Sequence, residues 1–447
     1  MKPFPISLDQ PARFTGAPPE AADVIVIGGG IAGVMTAWYL AKAGQKVVLC
    51  EKGRIAGEQS SRNWGWIRKQ GRDPAELPIM IEADRIWRGL EAEAGADLGF
   101  RQAGVLYIAN QPRDMADFEA WMAHARAHDL DTRLLTKAEL DARLPNAAGW
   151  VGGLLTPSDG RAEPWVAVPA LAAALVARGA SLHEECAVRA LDLQGGRVTG
   201  VVTEKGRVRA DRVVLAGGVW SSLFLRAHGV SLPQLAVRAT VTATVPFDFP
   251  HETASADSHF AFRMRQDGGL TLTPGAMHDF ALGPDAFRHL GAYLQVLKKD
   301  WRSTRLHAAA PRHYPDHWMT PRRWDAGRES PFERMRILNP APNPRFIEDI
   351  RTRFAAAFPQ VGKPAIAAAW AGMIDTMPDV VPVIDHVAAL PGLTLLTGLS
   401  GHGFGIGPGL GRVTADLAMG RDPGHDIARF RLSRFTDGSK IILGPSL

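Results

Sequence analysis

Three things are scarce in this 447-residue chain, and each scarcity closes off a class of function. Cysteine occurs twice, at Cys50 and Cys186, with no CxxC spacing. The sequence therefore offers neither a disulfide framework nor a thiolate metal site, and both thiols read as core residues of a protein from a reducing compartment. No metal ligand set is expected. Apolar runs are short: none approaches the ~20 residues that span a bilayer. The polar, proline-rich opening of residues 1–20 has no apolar h-region, so it reads as an extended arm and not a signal peptide. Charge of one sign is nowhere gathered into a long run. The 51 Lys and Arg exceed the 46 Asp and Glu by five, yet they are scattered, which argues against nucleic acid as a partner. The densest basic stretch, Arg312 to Arg336, interleaves Arg322, Arg323, Arg328 and Arg334 with acids, prolines, Trp318 and Trp324. It reads as a solvated irregular face, with a cap over an anionic substrate as the alternative.

What the chain does have is ordinary globular content, 46% hydrophobic and 22% charged, at a length that allows two domains or one with a large insertion. Its most informative stretch is Asp23 to Lys52. The apolar run Val24 to Ile27 predicts a buried strand, and Gly28, Gly30 and Gly33 give GxGxxG at the turn into a helix that opens with Ile31 and Ala32. Val47 to Cys50 predicts a second strand, ending at Glu51 and Lys52. This is the start of a dinucleotide-binding βαβ unit. Gly28 permits the turn, Gly30 lets a pyrophosphate approach the backbone, and Gly33 lets helix pack on strand. The helix N-terminus favours phosphate, and Glu51 stands where an acid accepts from the adenosine ribose hydroxyls. The fingerprint fits NAD as well as FAD, and a flavin monooxygenase or an NAD-dependent hydride-transfer enzyme would share it. No second nicotinamide-type glycine fingerprint is present.

The rest of the chain does not continue as a regular strand and helix alternation. Helices are predicted at Leu77 to Ala94, Arg113 to Asp129 and Pro164 to Arg178. Strands are predicted at Val105 to Ala109, Ser181 to Val188, Arg197 to Thr203, Arg207 to Ala210 and Asp211 to Gly218, the last ending in glycines that include Gly217. Alternation over Ala236 to Val245 and the turn at Gly268 predict antiparallel strands, and Asp285 to Lys299 predicts a helix. Near the other end, a strand at Leu393 to Thr397 runs into GLSGHGFGIGPGLG, read as a glycine-dense anion-binding loop before a helix from Arg412 to Met419. The expected fold is α/β with α+β insertions. A Rossmann-like nucleotide domain is assembled from 21–75, 160–230 and 366–435, interleaved with a substrate domain on an antiparallel sheet from 76–159 and 231–365.

Three motifs in order resemble one family of flavoenzymes: the glycine fingerprint, the loop GluGlnSerSerArgAsnTrpGlyTrp at 58–66, and SGHG at Ser400 to Gly403, preceded by the Pro-Asp segment Met377 to Pro382. The resemblance is to the FAD-dependent family that includes D-amino acid oxidase, glycine oxidase, sarcosine oxidase and γ-glutamylputrescine oxidase, and it covers most of the chain. It implies that Gln59, Ser60, Ser61, Trp64, Gly65 and Trp66 lie along the FAD pyrophosphate, ribityl chain and ring. It places Val188 against the adenine through its backbone and Gly217 in the same nucleotide cradle. Gly401, His402 and the run Gly403, Phe404, Gly405, Ile406 and Gly407 would close around the pyrimidine side of the flavin. Reduced flavin gathers negative charge near N1 and the C2 carbonyl, so donors there ease its reduction. His402 is read as a flavin contact, with proton transfer as the alternative. Trp64 and Trp66 flank Gly65 on an extended loop and read as pocket walls, against ordinary core aromatics. Neither cysteine lies in a covalent-attachment motif, so noncovalent FAD is expected.

The resemblance breaks at the substrate. Glycine oxidase-like members carry an arginine after Trp-Ala-Gly that pairs the substrate α-carboxylate. Here Trp370-Ala371-Gly372-Met373 is followed by Ile374, and only four tyrosines are available as partners, among them Tyr39 on the first helix and Tyr107 on a strand. Gly372 to Asp375 looks more like the γ-glutamylputrescine oxidase branch, which moves the expectation from an ordinary D-amino acid toward a primary or secondary amine. An N-substituted glycine stays open because Arg68 or Lys69 could bind a carboxylate, against a phosphate or surface contact. Asp375 could bind an ammonium group or simply form a turn. The implied reaction moves hydride from the amine-bearing carbon to flavin N5 and gives an imine that water hydrolyses, with no dedicated catalytic base and with oxygen or a quinone-type acceptor taking the electrons. A D-amino acid oxidase or dehydrogenase and a flavin-binding subunit of a hetero-oligomer are the alternatives. The expected compartment is the cytoplasm, peripheral to a membrane for a dehydrogenase, with the oligomeric state open.

Overall fold

A computed structural model describes residues 4–275, 277–300 and 303–444. Val24–Ile27 forms the expected strand inside a six-stranded sheet. From edge to edge its strands are Val383–His386, Leu393–Thr397, Val213–Leu215, Val24–Ile27, Val47–Cys50 and Ser181–His183. All neighbours are parallel except the first pair. Both faces are covered, which is why the central strands are unbroken apolar runs and not alternating ones. Val24, Val26, Leu49 and Val214 turn toward a core with Trp38, Trp87 and Leu410, while Ile25, Val48, Val213 and Leu395 turn toward a second core with Phe224 and Trp220. These strands come from both ends and the middle of the chain, so the α/β fold is interrupted by β-rich excursions.

The excursions build a ten-stranded sheet. Its spine is the antiparallel pair Leu235–Thr244 and Ile366–Thr376, in register from Leu235 opposite Thr376 to Ala243 opposite Ala368, with a one-residue shift before Thr244 opposite Ile366. Two pairings are parallel, Val105–Ala109 with Ala254–Ala256 and His278–Ala281 with Thr304–His307, so the sheet is mixed where a purely antiparallel one was expected. A phenylalanine cluster of Phe249, Phe262, Phe354 and Phe358 packs behind it in mostly edge-to-face contacts.

The closing helix differs most from expectation. It runs Gly403–Ala418, so only Gly398 to His402 of the glycine-dense stretch is a loop and the rest is helical. Low helix propensity is overridden by packing, because three neighbours leave no room for side chains. A Cβ on Gly411 would lie 2.6 Å from the Met35 Cβ, one on Gly409 2.6 Å from the Ile79 carbonyl oxygen, and one on Gly405 2.8 Å from that of Trp66. Smaller corrections follow local strain. The predicted strand Ser181–Val188 breaks after His183 and resumes as Val188–Gln194, with Glu185 at φ +49 between them. The predicted helix Asp285–Lys299 divides at His289 into Pro284–Arg288 and Leu290–Asp300. Among the described residues no helix is long and apolar enough to cross a membrane.

Candidate active site

A cavity of about 760 Å³ lies where the carboxyl ends of the parallel strands meet the long strand pair of the mixed sheet. Ligands of open α/β sheets bind at this end, and the volume suits a large cofactor with room for a small second molecule. At its nucleotide end, Gly28 adopts φ +110 and a Cβ there would stand 2.3 Å from the Ala216 carbonyl oxygen. Gly33 needs its missing side chain for a different reason: a Cβ would meet the Gly28 carbonyl at 1.9 Å, so the helix could not close on the strand. Gly33 therefore shapes the turn without lining the cavity, while Gly28, Gly30, Ile31, Ala32 and Gly217 do line it.

Glu51 lines this end with both carboxylate oxygens already held, Oε2 by the Gly29 amide at 2.7 Å and Oε1 by the Gly53 amide at 2.7 Å. Each oxygen keeps a lone pair for a ribose hydroxyl. Burial raises Glu51 above its ordinary value, opposed by Lys52 and the two amides. Lys52 also lines the cavity, but its three N–H bonds go to Glu58 Oε1 at 2.7 Å, the Arg336 carbonyl at 2.8 Å and the Met335 carbonyl at 3.0 Å. Its ammonium is spent on the protein. Ser60 Oγ accepts the Ile31 amide at 2.9 Å, which leaves its hydroxyl proton free to meet a phosphate. Val188 lines the cavity beside them. This set of glycines, helix N-terminus, acid and serine fits an adenine dinucleotide.

Further in, Trp64 and Trp66 meet edge to face, with ring centroids 5.6 Å apart, and wall the cavity. Gly65 between them does not: its φ is +77 and a Cβ would strike the Ala162 carbonyl at 2.4 Å. Asp375 sits in the strand Ile366–Thr376 and not in a turn. Its Oδ2 accepts from the Gly398 amide at 2.9 Å and from Gln234 Nε2 at 3.1 Å, while Oδ1 is buried with no protein partner. Burial raises its carboxyl above the ordinary value. An orphaned buried acceptor lining the cavity is what a hydroxyl or N–H of a bound cofactor would satisfy. Gln59 closes the corner, its Oε1 accepting the Asp375 amide at 3.4 Å.

Gly401, His402, Gly403 and Phe404 line the cavity at the N-terminus of the closing helix, so the helix dipole points into the site. Gly405, Ile406 and Gly407, expected around the flavin, face neighbouring elements instead, because the helix has already begun. His402 Nε2 lies 2.7 Å from Glu76 Oε1. Burial lowers His402 against the pull of Glu76. Burial also opposes charge on Glu76, but His402 and Arg72 outweigh it and hold the acid below its ordinary value. Burial favours the neutral imidazole, and in that form an Nε2 that donates to Glu76 would leave Nδ1 as an acceptor.

Arg68, Arg72 and Tyr107 gather at the far end. Arg68 donates to the Gln70 carbonyl and lies 5.4 Å from the Tyr107 ring centroid. Arg72 donates from Nε to the Arg68 carbonyl at 3.3 Å. Burial, then the neighbouring Arg68, push Arg72 down to about 9. Among the described residues neither guanidinium has a carboxylate within ion-pair distance. Lys69, the other sequence candidate, is turned away from the cavity. It is buried against Asp159 at 3.0 Å and Asp84 at 3.2 Å, which outweigh desolvation and raise it above its ordinary value. A lysine held by two acids has no charge to offer a substrate.

Ser61 is also elsewhere, its Oγ accepting the Ile6 amide at 3.3 Å and tying down the N-terminal arm. Ile374 lines the cavity, where a Cβ on Gly401 would lie 3.4 Å from it. None of Arg322, Arg323, Arg328 and Arg334 reaches the cavity, and Arg322 is paired with Asp316 at 3.2 Å, so no arginine cap forms over the site. Sequence reasoning missed Arg72, Tyr107 and Arg62. Arg62 is buried and donates to the Ala371 carbonyl at 2.9 Å, anchoring the strand that carries Asp375.

A sequence model of the DAO family, described as FAD dependent oxidoreductase, matches residues 23–417. Human mitochondrial sarcosine dehydrogenase is 32% identical over 235 residues, 51% of this chain and 26% of that protein, so the match spans about a quarter of that relative. Human peroxisomal sarcosine oxidase is 26% identical over 426 residues, covering 92% of this chain and 96% of that protein. Among solved structures, the L-amino acid deaminase from Proteus myxofaciens in complex with anthranilate superposes with a TM-score of 0.90 at 30% identity, covering 95% of this chain and 97% of that one.

Proposed function

The chain belongs to the DAO family of FAD-dependent oxidoreductases, and from that membership we propose that it oxidises the carbon–nitrogen bond of an amine that carries a carboxylate, either an amino acid or an N-substituted glycine. The observation that carries this reading is the pair Arg68 and Arg72, two guanidinium groups at the end of the cavity with no carboxylate at ion-pair distance among the described residues, Glu76 and Asp159 acting on Arg72 only from farther off. They supply what the missing arginine at Ile374 does not. The names of the relatives point the same way: sarcosine is an N-substituted glycine, and anthranilate is a carboxylate beside an amine. A primary or secondary amine without a carboxylate, toward which the sequence alone leans beside an N-substituted glycine, would leave both arginines unpaired.

FAD is the cofactor, bound without a covalent link, and when bound it supplies the acceptor for two electrons and a hydrogen from the amine-bearing carbon. Arg68 and Arg72 hold the carboxylate, and Tyr107, whose hydroxyl is hydrogen-bonded to no described residue, donates to it as well. Trp64 and Trp66 keep this end apolar and dry, so those charges act at full strength. His402, held neutral by burial, offers Nδ1 to the proton that an ammonium substrate must shed. Asp375 is not assigned to the ammonium: Gln234 and Gly398 take its Oδ2, and its open Oδ1 is left for a hydroxyl or N–H of the cofactor. Two buried free thiols suit a reducing compartment, and we place the protein in the cytoplasm.

Anaerobic titration of the yellow protein with matched pairs of substrates tests the proposal. N-alkylglycines and amino acids should bleach the flavin band near about 450 nm, and their decarboxylated counterparts should not. Equal bleaching by both members of a pair would overturn it. Oxygen consumption during turnover then separates reoxidation by oxygen from reoxidation by a quinone-type acceptor.

A further inference from the structure

We propose that Glu76, which is not among the residues lining the cavity, is a positioning residue for the reaction: its carboxylate holds the Nε2 side of His402 so that Nδ1 receives the proton of an ammonium substrate. This rests on the reading above of a carboxylated amine with His402 as proton acceptor. The pair is built by two helices. Glu76 is the N-cap residue of Leu77–Ala94 and His402 that of Gly403–Ala418, and their side chains are buried, 2% and 10% exposed, with Oε1 and Nε2 2.7 Å apart. Those helices are locked together. Trp87 Nε1 donates to the Gly405 carbonyl at 2.8 Å, and a Cβ on Gly409 would lie 2.6 Å from the Ile79 carbonyl oxygen. Since His402 lines the cavity and Glu76 does not, the acid stands behind the imidazole and acts on a substrate only through it.

The chemistry needs such a support. Hydrogen leaves the amine-bearing carbon only when the nitrogen lone pair is free, so the ammonium N–H bond must break, its electron pair staying on nitrogen while the proton forms a new N–H bond at His402 Nδ1. That step leaves a buried imidazolium, which is costly unless paired. Of the charged groups that face His402 among the described residues, Glu76 alone favours the new charge, while Arg72 and Arg68, on the loop before the helix, oppose it. The strand Ile366–Thr376 adds no charge there: Ile374 lines the cavity beside Gly401, and the neighbouring Asp375 is turned to Gln234 and Gly398. Glu76 is suited to the task because it is already an anion, held below its ordinary value by His402 and Arg72 in spite of its burial. The same carboxylate selects the tautomer. An Nε2 that carries its hydrogen toward Oε1 leaves Nδ1 without one.

The test is the pH dependence of anaerobic flavin bleaching in the FAD-loaded full chain, with N-methylglycine or an amino acid, whichever bleaches the wild type faster. The wild-type rate should fall toward acid as His402 takes up a proton. Glu76→Gln keeps the shape and removes the charge, so this acid limb should move down by about one pH unit and the plateau rate should fall about tenfold. Flavin content and the shift of the flavin bands by propionate should stay as in the wild type. Glu76→Asp, one methylene short, should move the limb the same way by less. His402→Gln should abolish the limb, and adding Glu76→Gln to it should change the rate less than about twofold, because nothing is left to position. An unmoved limb in whichever Glu76 variants fold, or an equal loss from Glu76→Gln with and without His402, would overturn the proposal. A wild type that no carboxylated amine bleaches would instead end the substrate reading, and this proposal with it.

Discussion

Arg72 brings its charge into the cavity with no carboxylate at ion-pair distance among the described residues, so its loss should be felt by the substrate more than by the fold. Arg72→Gln should lower kcat/KM for a carboxylated amine by about 100-fold, mainly through KM, with FAD content unchanged. A KM equal to wild type would remove Arg72 from the binding site. Why the sequence pointed to Lys69 and passed over Arg72 is instructive. The segment IRKQGR offers three basic residues, and a one-dimensional reading cannot tell which is neutralised. Folding brings Asp84, from a helix, and Asp159, from a distant turn, onto Lys69 and so consumes it, while the chain bends back at Gly71 and leaves Arg68 and Arg72 together. Tyr107 was passed over for a similar reason, since only the strand pairing reveals that its side chain faces the cavity.

The closing helix shows where composition misleads about an element. Its glycines read as a phosphate-cradling loop because glycine favours loops when neighbours are ignored. They are contact points for other elements, and Gly411 is the tightest of those made with the first helix: an added Cβ would lie 2.6 Å from the Met35 Cβ, 2.7 Å from the Met35 carbonyl carbon and 2.8 Å from the Thr36 amide nitrogen. Backbone cannot give way as a side-chain tip can. Gly411→Ala should therefore destabilise the protein by about 2 kcal/mol in urea unfolding, despite the roughly 1 kcal/mol that alanine gains in helix propensity. A stabilised variant would show that the two helices are not packed this closely. The first βαβ unit was legible because its signals are local: apolar runs, three glycines and one acid in fixed order. The mixed sheet was half legible, since alternation predicts strands but carries no record of which distant strand each one meets.

At the scale of the whole molecule, two sheets are held across one cavity by a few polar side chains. Gln234 bridges Asp375 on the mixed sheet and Thr397 Oγ1 on the parallel sheet, at 3.1 Å and 3.0 Å. The mixed sheet also carries an acid-sensitive site. His251 is buried with Nε2 3.0 Å from Ser255 Oγ, and burial lowers it to about 4. The unfolded chain takes up a proton there near the ordinary histidine value while the folded protein does not, so this site's contribution to stability is present at neutral pH. It is lost as pH falls from about 6.5 toward 4, by up to about 3 kcal/mol. The stability advantage of wild type over His251→Gln should shrink across that window, and an advantage constant with pH would contradict the burial of a neutral imidazole.

The claim that one cavity joins a flavin to a carboxylate-binding end is tested most directly by the visible spectrum of the FAD-loaded protein during titration with a small carboxylate that has no amine, such as propionate. The account predicts a saturable shift of the flavin bands in the wild type, lost in Arg72→Gln although both proteins are equally yellow. A colourless protein that FAD cannot reconstitute, or the same shift in the variant, would contradict it.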